Sequence, residues 1–131
     1  MGTVTAPSRR AWHTAAMREI PVLAASELDS SQALRRHPVP VDLDGTEAVV
    51  WRAVDGTIGV VARACPHLDW DLSEATITDI ELVCPGHGWS ITCSGRVFKR
   101  NEFGREDAKG STPHWPAREQ DGKIWVEIGQ T

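Results

Sequence analysis

The most informative segment of the chain is Cys65–Trp89, which contains two short loops of nearly the same composition. The first, Cys65–Trp70, reads C-P-H-L-D-W, and the second, Cys84–Trp89, reads C-P-G-H-G-W. Each loop offers one cysteine and one histidine, and sixteen residues separate the first histidine from the second cysteine. Thiolates and imidazoles hold iron–sulfur clusters and zinc, and two such pairs supply the four ligands that either centre requires. The spacing therefore predicts a metal site.

The backbone chemistry of both loops suits a bulky centre. An extended Cys65-Pro66-His67 segment places its first and third side chains on the same side, so both can face one centre. Pro66 and Pro85 restrict φ and lower the entropy of the loops. Gly86 and Gly88 allow the backbone to approach a bulky group, and their N–H groups could donate to sulfur. These features favour an iron–sulfur cluster over a compact zinc ion.

Two alternatives to an iron–sulfur cluster follow from the same residues. A zinc-stabilised binding module would use the same set of two cysteines and two histidines. The cysteines could also be buried as small hydrophobic residues beside incidental histidines, since free cysteine is among the most buried residue types. The repetition of the Cys-Pro loop disfavours this second alternative.

The rest of the chain predicts an antiparallel all-β fold. Turn signals recur every ~8 to 12 residues, and no stretch keeps a helical period beyond about two turns. Asp44-Gly45, Asp55-Gly56 and Ser94-Gly95 are hairpin signals, and Pro40 confines its strand to a sheet edge. A serine is expected to cap a short helical turn over Ser26–Asp29. The predicted strands cover residues 19–23, 39–41, 47–54, 57–63, 80–83, 90–92, 96–98 and 124–128, with a flexible arm over residues 1–17 and a long loop over 99–114.

Composition limits the partners and locations that we expect. The chain has 131 residues, enough for one domain with its own core, and its net charge of −4 gives no support to nucleic-acid binding. It lacks a run of ~18 apolar residues, so no membrane association is expected. Three cysteines cannot form a disulfide framework, which fits a reducing compartment, and we expect a cytoplasmic protein.

The pattern C-x-H, sixteen residues, then C-x-x-H-G-W resembles the signature of the Rieske [2Fe–2S] domain. Two flanking segments, Glu47–Arg52 and Arg118–Val126, resemble the Rieske domain of ring-hydroxylating oxygenases, and the chain is also similar to Rieske-type ferredoxins. The resemblance extends over about residues 18–129. It implies a Rieske domain over residues 18–131: an antiparallel β-sandwich with a small cluster-binding subdomain, about residues 64–92, formed by the two loops.

The resemblance also implies the role of each ligand. Cys65 and Cys84 bind one iron, and His67 and His87 bind the other. An oxidised [2Fe–2S] centre with four thiolates carries a charge of about −2, whereas two thiolates and two neutral imidazoles leave it near zero, which makes reduction easier. The expected cofactor is therefore a Rieske [2Fe–2S] cluster that carries one electron, and no catalytic residue is expected.

Three residues distinguish this chain from the Rieske proteins of respiratory complexes. Those proteins carry an extra cysteine in each loop, joined as a disulfide, at the positions of Trp70 and Gly86. They also have a serine that hydrogen-bonds to a cluster sulfide where this chain has Trp89. Because the bridge and the hydroxyl donor are absent, we expect a midpoint potential near the low end of the range of about −150 to +300 mV known for Rieske centres.

The resemblance implies electron transfer rather than oxygen activation. Similar oxygenase α subunits continue into a domain that holds mononuclear iron on two histidines and a carboxylate, and here only His114 lies downstream of the loops as a histidine. We expect a carrier that takes electrons from a flavin-dependent or ferredoxin-type reductase and passes them to a non-haem iron oxygenase component. The alternative is the Rieske domain of a split or truncated oxygenase that acts with a separate catalytic chain.

The remaining chemically notable residues have simpler interpretations. Cys93 is expected to pack as a small strand residue, and His13 and His37 to lie on the surface. His114 is also expected at the surface, where it could shield the cluster. Charged residues in and after the stretch between the loops could steer a partner or be plain solvated surface. The acidic ones are Asp69, Asp71, Glu74, Asp79 and Glu81, and the basic ones are Arg96, Lys99, Arg100 and Arg105.

Overall fold

The computed structural model describes residues 17–65, 70–86, 88–100 and 103–129. The flexible arm predicted over residues 1–17 lies outside this part of the chain, except for Met17, where the first strand begins. We call the two loops Cys65–Trp70 and Cys84–Trp89 the first and second Cys–Trp loops. A short 3-10 helix, Leu72–Glu74, follows the first of them. In chain order the other elements are β1 (Met17–Ala24), α1 (Ala25–Arg35), β2 (Val39–Leu43), β3 (Thr46–Arg52), β4 (Ile58–Ala62), β5 (Thr76–Thr78), β6 (Glu81–Val83), β7 (Ser90–Ile91), β8 (Arg96–Arg100), β9 (Glu106–Ser111), β10 (Ala117–Gln120) and β11 (Lys123–Gly129).

Across the described residues the strands form three sheets. The first has the order β1-β11-β10, the second β2-β3-β4, and the third β5-β6-β7-β8-β9. Every neighbouring pair of strands is antiparallel. The structure therefore confirms the predicted antiparallel β architecture and adds one helix, α1, to the predicted all-β fold. The third sheet carries the second of the two loops, Cys84–Trp89.

The middle sheet, β2-β3-β4, separates two hydrophobic cores. Successive residues of a strand point to opposite faces, and along β3 Ala48 and Val50 alternate with Val49 and Trp51, all four of which are buried. The first pair packs with α1 and the apolar residues of β11. The second pair packs with the cysteines of both Cys–Trp loops and with β6, β7 and β8. One face of the middle sheet therefore supports the predicted metal site.

Helix α1 is longer than the sequence predicts. It begins at Ala25 and ends at Arg35, so the short turn expected over Ser26–Asp29 is wrong in length. The expected serine cap is also wrong, because the N-cap residue is Ala24, whose N–H donates to the Glu27 carboxylate at 3.2 Å. Among the residues of α1 only Ala25 and Leu28 are buried, whereas Leu34 is 85% exposed. A helix that buries only its first turn has too short an apolar stripe to produce a helical period in the sequence.

The long loop predicted over residues 99–114 is wrong in its central part. Strand β9 pairs with β8, with Arg100 opposite Glu106 and Arg96 opposite Ser111. All six residues of β9 are exposed, so this strand lacks the alternation of apolar and polar residues that identifies strands. Strands β5 and β10 escape prediction for the same reason, because neither contains a buried residue.

The predicted hairpins are confirmed. Asp44 and Gly45, with φ of 57° and 104°, connect β2 to β3 through two residues in the left-handed region, as a tight hairpin turn requires. Strand β2 lies at a sheet edge, in agreement with Pro40. The Asp55-Gly56 and Ser94-Gly95 signals also lie between paired strands, β3–β4 and β7–β8.

Within the described ranges, no helix has the length and apolarity needed to cross a bilayer.

Candidate metal centre

The first Cys–Trp loop, Cys65–Trp70, follows the end of β4 and is closed by backbone contacts. Ala64 and Asp71 form an antiparallel bridge at its base. Next to this bridge, the N–H of Cys65 donates to the carbonyl of Trp70 at 2.8 Å. The two ends of the loop are therefore held together directly beside Cys65. The position of Cys65 shortly after β4 agrees with the strand predicted before it.

The second Cys–Trp loop, Cys84–Trp89, connects β6 to β7 and repeats this closure. The last residue of β6 pairs with the first residue of β7 at its base, and the N–H of Cys84 donates to the carbonyl of Trp89 at 2.8 Å. The N–H of Gly88 donates to the carbonyl of Cys84 at 3.1 Å. Gly88 has a φ of 71°, a left-handed conformation that glycine adopts without steric cost.

Both loops therefore contain a hydrogen bond from the amide of a cysteine to the carbonyl of a tryptophan five residues later. Cys65 and Cys84 are buried, and both belong to the core that packs on Val49 and Trp51. The loops also meet directly, because the indole of Trp70 lies against Gly86. The structure thus brings the two predicted cysteine ligands together on one core.

The predicted histidine ligands, His67 and His87, lie outside the described residues, and so does Asp69. The role of the two histidines as ligands stays a prediction. The described donors fit an iron–sulfur cluster, because thiolates are the soft ligands that such clusters bind, and here two buried cysteines sit on two loops with matching backbone closure.

An ion pair reinforces the base of the first loop. Arg63 Nε and Nη2 donate to the carboxylate of Asp71 at 3.0 and 3.1 Å, and that carboxylate also accepts the N–H of Ser73 at 3.0 Å. These hydrogen bonds from Arg63, together with its positive charge, hold the pKa of Asp71 well below its usual range. Asp71 is therefore ionised at neutral pH, and the loop base stays charged and paired.

Cys93 has the environment of a packed thiol. It lies in the turn between β7 and β8 rather than in a strand, its side chain packs against the core of the two loops, and its Sγ is 3.8 Å from the carbonyl oxygen of Ile80. Burial raises the pKa of the Cys93 thiol to about 11. A redox thiol reacts as the thiolate, so this pKa supports the interpretation of Cys93 as a packing residue.

The other histidines contact backbone carbonyls or lie outside the described residues. His37 is half-buried, and its Nδ1 donates to the carbonyl of Ala75 at 2.9 Å. His114 forms a bridge with Val61 and lies 3.2 Å from the carbonyl oxygen of Thr112. His13 lies outside the described residues. The described contacts of His37 and His114 are structural, and a shielding role for His114 stays a prediction.

Several of the charges that could steer a partner are paired within the chain. Arg100 donates to both oxygens of Glu81 at 3.0 and 3.2 Å, and Glu106 of β9 accepts from Arg96 and Arg100 at 3.1 and 3.3 Å. Both guanidinium groups also lie over the buried ring of Phe98, 4.7 and 4.6 Å from its centroid. These four charges hold β6, β8 and β9 together, so part of the predicted steering surface serves the third sheet itself.

Lys109 is a neighbour of the second loop that sequence reasoning missed. Its Nζ lies 5.4 Å from the centroid of the Trp89 ring, within the range of a cation–π interaction. Lys109 belongs to β9, the strand absent from the predicted elements. Its position depends on the pairing of β9 with β8, and nothing in the local sequence signals it.

The described residues define an antiparallel β domain in which two Cys–Trp loops place two buried cysteines on one hydrophobic core. Comparison with known proteins identifies the domain. The sequence model of the Rieske [2Fe–2S] domain matches residues 18–116. The chain belongs to the Rieske [2Fe–2S] domain family, and its cofactor is a Rieske [2Fe–2S] cluster.

The similar proteins are parts of oxygenase systems. The chain is 31% identical to the oxygenase subunit of 3-chlorobenzoate-3,4-dioxygenase from Comamonas testosteroni, over 86% of this chain and 26% of that protein. It is 32% identical to the oxygenase component of 3-ketosteroid-9-alpha-monooxygenase from Rhodococcus rhodochrous, over 68% of this chain and 23% of that protein. The chain therefore spans about a quarter of the length of these curated relatives.

Solved structures agree on the fold. NdmA from Pseudomonas putida CBB5 superposes with a TM-score of 0.72 at 23% identity, over 82% of this chain and 33% of that one. Dicamba monooxygenase superposes with a TM-score of 0.69 at 23% identity, over 83% of this chain and 32% of that one. The antiparallel Rieske architecture expected from the resemblance is thus confirmed.

Proposed function

We propose that this chain transfers single electrons through a [2Fe–2S] cluster held by Cys65 and Cys84 on one iron and by His67 and His87 on the other. The observation that carries the proposal is the matched pair of loops, in which each buried cysteine donates its N–H to a tryptophan carbonyl at 2.8 Å. Two loops that are closed by the same backbone hydrogen bond can present equivalent ligand sets to one centre. The Rieske family membership supports the same cofactor.

The ligand set determines the electron chemistry. When bound, the cluster supplies one-electron oxidation and reduction, and two neutral imidazoles in place of two thiolates make reduction easier. The chain contributes the burial of both cysteine side chains and the rigid bases of the loops, which limit the access of water. Trp70 and Trp89 stand where respiratory Rieske proteins have a bridging cysteine and a hydroxyl donor, which supports a midpoint potential near −150 mV, the approximate low end for Rieske centres.

The proposed direction of transfer is from a flavin-dependent or ferredoxin-type reductase to a non-haem iron oxygenase component. It is supported by relatives that are oxygenase subunits or oxygenase components. A set of three cysteines cannot form a disulfide framework, which supports a reducing compartment such as the cytoplasm. No bond chemistry is assigned to the residues of this chain.

A second candidate is the Rieske domain of an oxygenase whose catalytic iron lies on a separate or missing part. The observation in its favour is that the chain matches only about a quarter of each oxygenase relative. Gel filtration of the cluster-containing chain with a candidate catalytic chain distinguishes the two. Stable co-elution indicates an oxygenase part, whereas separate elution together with rapid reoxidation of the reduced chain by the oxygenase indicates a free carrier.

Ligand substitutions test the proposed site. Cys65→Ser and Cys84→Ser should abolish cluster binding, whereas Cys93→Ser, the matched control, should keep the cluster and its potential. His67→Cys and His87→Cys should retain some cluster at a lower potential, because each adds a negative charge to the centre. An unchanged potential in both histidine variants would show that the ligand assignment is wrong.

A further inference from the structure

The indole of Trp70 and the α-carbon of Gly86 fit together without room for a side chain. A Cβ placed on Gly86 would lie 2.6 Å from both Cδ1 and Cε2 of Trp70 and would also overlap its Nε1. Carbon atoms in contact prefer separations of about 3.5–4.0 Å. Gly86 does not have a positive φ, so its φ does not require glycine. The requirement for glycine at this position is therefore steric, and Trp70 imposes it.

This contact connects the two Cys–Trp loops beside their cysteines. Trp70 ends the first loop, and its carbonyl accepts the N–H of Cys65. Gly86 lies two residues after Cys84 in the second loop. Trp70 remains 45% exposed, so its ring covers the second loop with one part and meets solvent with the rest. A displacement of this ring would change the separation of the loops and open the space between them to water.

We propose that Trp70 is a positioning residue that sets the separation of the two Cys–Trp loops by packing on Gly86. The proposal rests on the proposed function, since it concerns the geometry of the loops that hold the cluster. A binding site loses its geometry when the residues that support its ligands allow those ligands to move by even about 1 Å. The rigid, planar indole of Trp70, packed directly on the backbone of Gly86, restricts that movement.

A double-substitution cycle on the purified, cluster-containing protein tests this proposal. The variants are Trp70→Ala, Gly86→Ala and the two combined, and the measurements are the rate of iron loss to a chelator and the midpoint potential. Gly86→Ala should accelerate iron loss about tenfold, a factor within the usual cost of overpacking a tight contact. It should also raise the potential, because water admitted between the loops stabilises the negative charge added on reduction.

The combined variant is the decisive member of the cycle. Once the indole is absent, the methyl group that Gly86→Ala adds has nothing to overlap, so Trp70→Ala with Gly86→Ala should lose iron no faster than Trp70→Ala alone. Leu28→Ala provides a control for general destabilisation, because Leu28 is fully buried in the other core, on the opposite face of the middle sheet from the two cysteines. The cavity that it leaves there should lower the melting temperature and leave the potential unchanged.

Three results would overturn the proposal. The first is a combined variant in which the two single effects on the iron-loss rate multiply. The second is iron loss and potential in Gly86→Ala equal to those of the wild type, and the third is a potential shift in Leu28→Ala as large as that in Gly86→Ala. If Trp70→Ala does not accumulate, Trp70→Phe replaces it, and Gly86→Ala should then cost less beside the smaller ring. An equal cost contradicts the proposal. A wild-type protein without a [2Fe–2S] spectrum would refute the proposed function and this proposal together. A wild-type protein that holds the cluster, with variants whose effects on the iron-loss rate multiply, would refute this proposal alone.

Discussion

The guanidinium of Arg63 donates two hydrogen bonds to the carboxylate of Asp71, at 3.0 and 3.1 Å, and so ties the two sides of the first Cys–Trp loop at its base. Asp71→Asn keeps the size of the side chain and can still accept from the N–H of Ser73, but it loses the charge that Arg63 pairs with. We predict that this variant releases iron to a chelator a few times faster than the wild type.

The control for that prediction is Glu19→Gln. Glu19 also accepts two hydrogen bonds from an arginine, Arg118, at 2.8 and 2.7 Å, but this pair connects β1 to β10 in the first sheet. Loss of the Glu19–Arg118 ion pair should leave the iron-release rate unchanged. Equal acceleration in both variants would mean that Arg63 and Asp71 act on general stability rather than on the loop.

The Cys93 thiol should react slowly at neutral and mildly alkaline pH. Its pKa is raised from 9.0 to about 11, so at pH 8 the thiolate is roughly a hundredfold less abundant than in an unburied cysteine, and alkylation should slow in proportion. Peptide-resolved mass spectrometry of iodoacetamide labelling, with the urea-unfolded chain as reference, measures the ratio. Labelling of native Cys93 at the unfolded rate, or a rate that levels off below pH 9, would contradict this prediction.

Helix α1 should depend on one buried residue. Leu28 is fully buried in the core between the first two sheets, whereas Leu34 of the same helix is 85% exposed. Leu28→Ala should lower the free energy of unfolding by about 2–5 kcal/mol, the usual cost of this truncation in a core. Leu34→Ala should change it by less than about 0.5 kcal/mol. Denaturant unfolding measures both, and similar values for the two would contradict the packing of α1.

The two Cys–Trp loops could be predicted because their chemistry is local. Each cysteine follows a strand, and Cys65 and Cys84 both stand five residues before a tryptophan, the spacing that the shared hydrogen bond uses. The sequence also singles out Trp70 and Gly86, through the cysteines that occupy these positions in respiratory Rieske proteins. That the two residues touch depends on the approach of separate loops, which no local pattern encodes.

Strand β9 and helix α1 could not be predicted because tertiary contacts create them. Every residue of β9 is exposed, and its pairing with β8 is accompanied by ion pairs between Glu106 and the arginines Arg96 and Arg100. The contact of Lys109 with Trp89 therefore also escaped prediction. Charged residues at these positions read as loop in a single sequence, since periodicity reports burial and these elements bury almost nothing.

The spectrum of the purified protein, recorded before and after reduction by dithionite, tests whether the chain holds a Rieske cluster. We predict a red-brown protein with two irons and two sulfides per chain, whose reduced form gives an electron paramagnetic resonance signal of low average g, as the mixed cysteine and histidine ligation of a Rieske cluster implies. A colourless protein with stoichiometric zinc and no iron, or a reduced signal with the higher average g of a four-thiolate cluster, would contradict the account.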